Sequence, residues 1–417
     1  MIVIVRPCRI LADLSARFRA DRSIYSIVCR IRIPFMEATQ MCFDEKMLAA
    51  LCIARSPKSV GEKQICSFIE QTIRKLGLPF LWDVFCLNFP MPLQAMIEFD
   101  NCVIPAQAYP NTRCTGSEGV WGRLVYFPRI SEAVDMKVEQ AIVMTDDPFD
   151  EHCNAILAQS DTVGVITHDW KFTQESHAAL MPHEPHSDRF TVLKINSKDA
   201  IKLMRTGATN IKMYYLNKVK KITSKNLYTY LPGAEDSKEI IMCAHYDTVS
   251  NSPGALDNLS GVLTLLKLLE MLTSVNRKTN IRFCWFGAEE LGNAGSQYFV
   301  SKYKNKDTTW QCVINIDAVD CILGCDELYY HSPNKDLLDC LNIPQQGLRL
   351  LEKVYGGDNR SFENEGIDSL TFSRGGSFGQ TIQHSRHDTL ENAGITAKSL
   401  QRVADRIMNT IYPLIKV

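Results

Sequence analysis

His245, Asp247 and Asp257 fall close together in the stretch AHYDTVSNSPGALDNLSG, directly after the unbroken apolar run Ile240-Ile241-Met242-Cys243-Ala244. An apolar run bounded by turn residues reads as a buried strand, so these side chains sit where that strand ends. The pattern recurs downstream. The run 281–288 leads into GAEELG with Glu289 and Glu290, CVINIDAV carries Asp317 near its end, and IQHSRHDTLENA brings His384 and Asp388 after SLTFSRGGSFGQ. Four predicted strands are thus each followed closely by acids or histidines. In an open α/β sheet the ligand crevice lies outside the carboxyl ends of the strands, so these residues are expected to converge at one edge.

The donor types define the chemistry. His245, Asp257, Glu290, Asp317 and His384 offer imidazole nitrogen and carboxylate oxygen, a set that suits zinc, with manganese or cobalt as alternatives. Five ligands are too many for one tetrahedral catalytic zinc. They fit two ions about 3.5–4 Å apart that share a carboxylate, and Asp257, between turn and helix, is the natural bridge. Asp247 stands two residues after His245. On a strand that spacing places both on one face, where a carboxylate can accept the second imidazole N–H. Glu289 and Glu290 are adjacent and cannot point the same way, so one can ligate while the other acts as general base. Each piece alone is commonplace; the ordered conjunction carries the argument. His331 and His387 are read as playing no part.

The elements that position these residues alternate strand and helix from about 222. Strands are expected at 238–244, 281–288, 311–319 and 368–373, and helices at 258–273, 293–304, 334–341 and 397–412. Near-continuous apolar strands between helices predict an α/β fold, with a mostly parallel central sheet and helices on both faces. Upstream, 45–78 is helical, with Ile65, Phe68, Ile69 and Ile73 on one face and Gly77 at a C-cap, followed by an extended stretch to about Phe99. The region 102–216 has a different texture: short β-like runs GRLVYFP, QAIVMT, TVGVIT and TVLKIN, and one helical piece, SKDAIKLMRTG. It reads as a smaller β-rich inserted domain. Its His168, His177, His183 and His186 lie in loops and are read as solvated.

The motifs AHYDTV, PGALDNLSGV, FGAEELGNAGSQYF, NIDAV and QHSRHDTLEN resemble, in order, those of the co-catalytic di-zinc exopeptidases that include aminopeptidase Y, leucyl aminopeptidases and glutamate carboxypeptidase. The resemblance covers about 222–417 and extends more weakly over 45–99. It implies a discontinuous catalytic domain, 37–101 and 217–417, interrupted by a protease-associated-like domain at 102–216. It implies His245 and Asp317 on one zinc, Glu290 and His384 on the other, and Asp257 bridging both. Glu289 would be the general base and Asp247 the residue orienting His245. The implied activity is removal of N-terminal residues from peptides with a free N-terminus. Two departures stand out. The family's Asp-Asp-Asn turn reads Leu256-Asp257-Asn258, and GGDNRSFENEGI lacks the usual Ser-Asp-His, which puts substrate-side contacts there in doubt.

Other activities share this scaffold. A carboxypeptidase or dipeptidase would need a carboxylate anchor, for which Arg360 and Arg374 are candidates, although an exposed arginine is more often only solvated. A glutaminyl cyclase-like transferase would use one zinc, and a metal-free binding module would have lost ligands, whereas here every ligand position is filled. The bulk numbers exclude other classes. The chain has 417 residues, 22% charged, with a net charge of −1, which gives no basic field for nucleic acid. No apolar run approaches the roughly 20 residues needed to span a bilayer. Fifteen cysteines scattered singly, Cys321 and Cys325 being the closest pair, predict reduced thiols and a cytoplasmic location. Residues 1–36 form an N-terminal extension. The first 35 carry seven Arg, no Lys and two acids, a composition similar to a transit peptide, but they are read as an upstream extension with the start at Met36 or Met41.

Overall fold

The run Ile240 to Ala244 is fully buried and forms the centre of a large mixed sheet in the computed structural model, which describes residues 43–109, 112–147, 149, 151–168, 189–304, 309–332, 336–352 and 355–416. In chain order the strands are β1 (Phe80–Phe99), β2 (Cys102–Pro105), β3 (Gln107–Ala108), β4 (Val120–Phe127), β5 (Ala141–Thr145), β6 (Thr162–His168) and β7 (Thr191–Ile195). The second half adds β8 (Asn210–Leu231), β9 (Glu235–His245), β10 (Thr279–Phe286), β11 (Thr309–Ile316), β12 (Cys325–His331), β13 (Leu348–Glu352) and β14 (Ser369–Gly375). The order across the sheet is β13-β12-β14-β11-β9-β10-β8-β4-β5-β6-β7-β3, with β1 paired to β8 and β2.

The four predicted strands are β9, β10, β11 and β14, and they run parallel to one another. Both of their faces are covered. On one face the helices Val60–Lys75, Ser260–Thr273 and Ala397–Ile415 share a core with the sheet, through Ile65, Leu266 and Ile411 among others. Each such fully buried aliphatic side chain contributes roughly 1.5–3 kcal/mol. On the other face Phe299, from the helix Ala294–Tyr303, packs with Trp310, Phe286 and Phe362. The expected Gly77 cap is present. Gly77 has φ +69 and Leu78 N–H returns to the Ile73 carbonyl, the hydrogen bond that closes a helix through a left-handed glycine.

The antiparallel edge formed by β12 and β13 was not anticipated, because CDELYYH and LRLLE mix charged and apolar residues. The region 102–216, expected as a smaller inserted domain, is continuous with the rest of the sheet. The strands β1 and β8 form one long antiparallel ribbon through the boundary, broken only by a register shift between Pro92 and Gln94. Phe85, Leu87 and Phe89 at its start pack on Ala288 and Ala294 beside the peptidase sheet. Ile97, Phe99, Met213 and Tyr215 at its far end belong to the core of the inserted region. The runs expected as strands in the insert are β4, β5, β6 and β7, mutually parallel, with apolar cores on both faces. The helix Ser197–Thr206 ends on left-handed Gly207 as its sequence predicts.

Every described cysteine is a free thiol. Among the described residues no helix is long and apolar enough to cross a membrane. His177, His183, His186, the N-terminal extension 1–36, Met36 and Met41 lie outside the described residues.

Candidate metal centre

The strand order β10-β9-β11-β14 brings four carboxyl ends side by side, and the predicted ligands follow from them. His245 is the last residue of β9. The loop 246–254 then leads into the turn Ala255–Leu259 that carries Asp257 and opens the helix Ser260–Thr273. The turn after β10 presents Glu289 and Glu290, Asp317 follows Ile316 at the end of β11, and His384 follows the short helix Ser377–Ile382 beyond β14. Ala288, Ala318 and His384 all adopt left-handed backbone conformations. For non-glycine residues that costs roughly 1–3 kcal/mol each, and such strain concentrates where side-chain direction matters.

All five residues meet. His245 Nε2 lies 3.2 Å from Asp257 Oδ1 and 3.5 Å from Asp317 Oδ1. His384 Nε2 lies 3.0 Å from Asp257 Oδ2 and 3.3 Å from Glu290 Oε2. They form two three-residue groups, His245–Asp257–Asp317 and Asp257–Glu290–His384, with the ligand atoms in each within 4.8 Å of one another. Asp257 belongs to both and offers one oxygen to each side. Glu289 belongs to neither, yet its Oε2 is 3.9 Å from His245 Nε2 and its side chain is only 12% exposed.

The surrounding hydrogen bonds add residues the sequence had not assigned. The Asp247 carboxylate was expected to accept the His245 N–H; His245 Nδ1 meets the Asp247 main-chain carbonyl at 3.2 Å and the carboxylate Oδ1 at 3.8 Å, so Asp247 faces His245 through both groups. The Asp247 carboxylate accepts the backbone N–H groups of Glu289 at 3.0 Å and Glu290 at 3.2 Å. The strand ends at His245, so the alternation of faces no longer governs Asp247. Asp388 does for the bridge what Asp247 does for the two glutamates: its oxygens accept Leu256 N–H at 2.7 Å and Asp257 N–H at 3.0 Å. Asn258 ties the bridging turn to β11, donating to the Ile316 carbonyl and accepting from Gly261 and Ala318 N–H. Gly357, in the segment that departs from the family pattern, backs onto the site so closely that a Cβ there would lie 2.8 Å from Asp317 Oδ2. Arg374 is engaged with the Cys321 carbonyl and Asp326. Its neighbours make it a structural residue. The only forecast available for Asp388 and Asn258 was their place inside matching motifs, since their partners are main-chain N–H and C=O groups brought by other strands.

The electrostatics describe a site that draws in positive charge. Burial pushes the Glu290 carboxyl up to about 8, and Asp257 and Asp247 add to the effect against the two imidazoles. Burial likewise raises Glu289 and Asp317, and lifts Asp358 to about 7. On His384 burial works against the charged form, but Glu290 and Asp257 overcome it and raise the imidazole to about 10. His245 is raised in the same sense by Glu289 and its carboxylate neighbours. Asp257 moves the other way. Burial opposes its charge, and its hydrogen bonds to both imidazoles hold it below the usual carboxylate range. Clustered carboxylates in a low-dielectric edge need a cation or protons. Among the described residues the buried Oε1 of Glu290 has no hydrogen-bond partner. The donor set, its division into two groups and this unpartnered oxygen fit a pair of divalent ions of the zinc type.

Comparison with known proteins agrees with this geometry. The profile of Peptidase family M28 matches residues 226–411, a span holding all five clustered residues. "Aminopeptidase YwaD" of Bacillus subtilis (strain 168) is 29% identical over 406 residues, covering 88% of this chain and 84% of that protein. "Leucine aminopeptidase 2" of Arthroderma otae is 25% identical over 145 residues, 34% of this chain and 29% of that longer protein. In fold, the chain is similar to BSAP, a zinc aminopeptidase from Bacillus subtilis, with a TM-score of 0.67 at 23% identity, covering 88% of this chain and 93% of that one. It is also similar to the aminopeptidase from Aneurinibacillus sp. strain AM-1, with a TM-score of 0.66 at 20% identity over 88% of this chain and 92% of that one. The motifs, the two three-residue groups and the match of residues 226–411 to the Peptidase family M28 profile together support a place for this chain among the co-catalytic zinc exopeptidases.

Proposed function

We propose that the protein is a metal-dependent aminopeptidase that removes N-terminal residues from peptides. The observation that carries this reading is the division of labour at the sheet edge: two three-residue groups share Asp257, and Glu289 stands beside them outside both. His245 and Asp317 would hold one zinc, Glu290 and His384 the other, with Asp257 common to the two. Zinc bound there supplies a Lewis acid for a peptide carbonyl and lowers the pKa of water.

The protein's own residues do the rest. Glu289 takes a proton from the attacking water and passes it to the departing amine, general acid–base work that contributes about 10²–10⁴ in rate. Asp247 fixes the backbone of both glutamates, so Glu289 and Glu290 diverge as their roles require. Asp388 and Asn258 hold the bridging turn. The region 102–216 is read as a protease-associated-like insert, supported by its own two-faced core. The free thiols support a reducing, cytoplasmic setting.

A panel of aminoacyl-p-nitroanilides, N-free and N-acetylated, tests the reading before chelation, after chelation and after zinc add-back. Cleavage confined to the N-free set, lost on chelation and restored by zinc, is expected. Cleavage that ignores the N-acetyl group, or that survives chelation, would overturn it.

A further inference from the structure

Arg55 lies in the more weakly matching stretch 45–99 and outside the motifs that carry the metal-type ligands, nearly two hundred residues from the loop it contacts, and is completely buried at 0% exposure. Its guanidinium reaches both ends of the loop 246–254, which joins His245 to the turn carrying Asp257. At the near end Nε donates to the Tyr246 carbonyl at 2.7 Å. At the far end Nη1 donates to the Pro253 carbonyl at 2.8 Å and Nη2 to the Gly254 carbonyl at 2.8 Å. Two weaker bonds from Nη1 to the Leu51 and Ile53 carbonyls anchor the group to its own segment. The Arg55 main-chain N–H adds a bond to Thr248 Oγ1 at 2.8 Å, in the middle of the loop. Gly254 permits the approach. It has φ +61, and a Cβ there would come within 2.8 Å of Nη2 and 2.3 Å of Thr248 Cγ2.

Burying a guanidinium is costly unless its donors are satisfied. Here every hydrogen-bond acceptor is a main-chain carbonyl, and none is a carboxylate. Asp388, Asp247 and Asp257 lie within electrostatic reach of it, but none accepts a hydrogen bond from it. A rigid fork of donors spread over one loop instead fixes that loop's shape. His245 is held at one end by β9, and Asp257 is held from the other side by Asp388. What remains is the path of the connection between them, and Arg55 is hydrogen-bonded to it at both ends and in the middle.

We propose that Arg55 is a positioning residue for the metal centre, its buried guanidinium clamping the loop 246–254 so that His245 and Asp257 keep the spacing a shared ion requires. The proposal rests on the metal-dependent reading above. Outer partners of metal ligands characteristically govern affinity by roughly 10–100-fold.

The test measures zinc retention by the full chain against a chromogenic zinc chelator, for the wild type, Arg55→Lys, Arg55→Met, Thr248→Val and Leu414→Ala. Leu414 is a fully buried core residue at the end of the helix Ala397–Ile415, where the Ile415 carbonyl accepts Lys278 N–H beside the start of β10, the end of the sheet away from the site, and controls for loss of stability alone. Near-UV circular dichroism confirms that each variant is folded. Arg55→Lys, which keeps the charge but loses the fork, and Arg55→Met are both expected to bind zinc at least about tenfold more weakly. Thr248→Val should show a smaller loss in the same direction, and Leu414→Ala should stay within about twofold of the wild type. If Arg55→Met does not fold, Arg55→Lys and Thr248→Val decide the matter. Retention of zinc by folded Arg55→Lys within twofold of the wild type, or an equal loss in Leu414→Ala, overturns the proposal while leaving the metal reading intact. A wild type that binds no zinc would defeat the metal reading itself, and this proposal with it.

Discussion

Two parallel stretches of the one large sheet end in acids and a histidine, and only one of the two edges gathers a metal-type set of ligands. In the inserted region β5 runs into Asp146 and Asp147, and β6 ends at His168. Asp146 accepts from Tyr126 Oη at 2.8 Å and meets His168 Nε2 at 2.8 Å, while Asp147 accepts the Ile130 N–H at 2.7 Å. The Asp146 and His168 side chains keep 33% and 17% exposure. At the other edge most of the ligands are nearly closed off, His245 at 2%, Asp317 at 7% and Asp257 at 9%, while His384 keeps 20%. There the acids outnumber the protein donors that face them. Placement at strand ends is therefore not sufficient. What separates the two edges is burial together with an excess of ligand atoms over internal partners, so that one edge is complete as it stands and the other needs a cation.

The comparison can be broken most sharply at Glu289. Glu289→Gln keeps the shape and leaves both three-residue groups intact, so turnover should fall by about 10²–10⁴ while zinc content is unchanged. Steady-state kinetics paired with metal analysis checks this, and near-wild-type turnover would remove Glu289 from its role.

A second distinction is the response to pH. In the metal-free protein Glu290 is raised to about 8, Asp358 and Asp388 to about 7 by burial, and His384 to about 10 by Glu290 and Asp257 despite its burial. A raised folded-state pKa contributes stability that is full below the unfolded value and is lost as pH climbs through the folded one. With unfolded values of about 4 for the acids and 6.5 for histidine, the window runs from about pH 4 to pH 10. The lowered Asp257 acts below that window and does not change its direction. Thermal unfolding in chelator should therefore give a lower Tm at pH 9 than at pH 6. The rise in Tm on adding zinc should be larger at pH 9, because the ion displaces those protons. A metal-free Tm that increases over this range would contradict the assignment.

The smallest effects belong to the inserted edge. Asp146→Asn and His168→Ala should each leave zinc content and kcat/KM unchanged and cost about 1 kcal/mol or less, the worth of a partly exposed hydrogen bond or ion pair. Loss of a zinc on either substitution would erase the distinction between the edges.

The sequence made the peptidase edge legible because its logic is local. Each ligand follows its own apolar strand, and the order of motifs survives the intervening helices. His168, read as a solvated loop histidine, is instead the last residue of β6 and meets Asp146, because a strand end cannot be told from a loop by spacing alone. Asp247 does more than spacing indicated: besides facing His245 it accepts the Glu289 and Glu290 N–H groups, which come from the turn after β10. Asp388, Asn258 and Arg55 were not assigned because their partners are main-chain groups from distant segments, which no spacing encodes. The boundary at 216 blurred for a related reason. β8 runs through it from one core to the other, and its partner β1 already reaches the second core at Ile97 and Phe99.

Crystals grown with zinc and measured at the zinc absorption edge would test the central claim most directly. The account predicts two anomalous peaks about 3.5–4 Å apart, flanking Asp257, one beside His245 and Asp317 and the other beside Glu290 and His384, with no peak at Asp146 and His168. A single peak, a pair that does not share Asp257, or a peak at the inserted edge would contradict it.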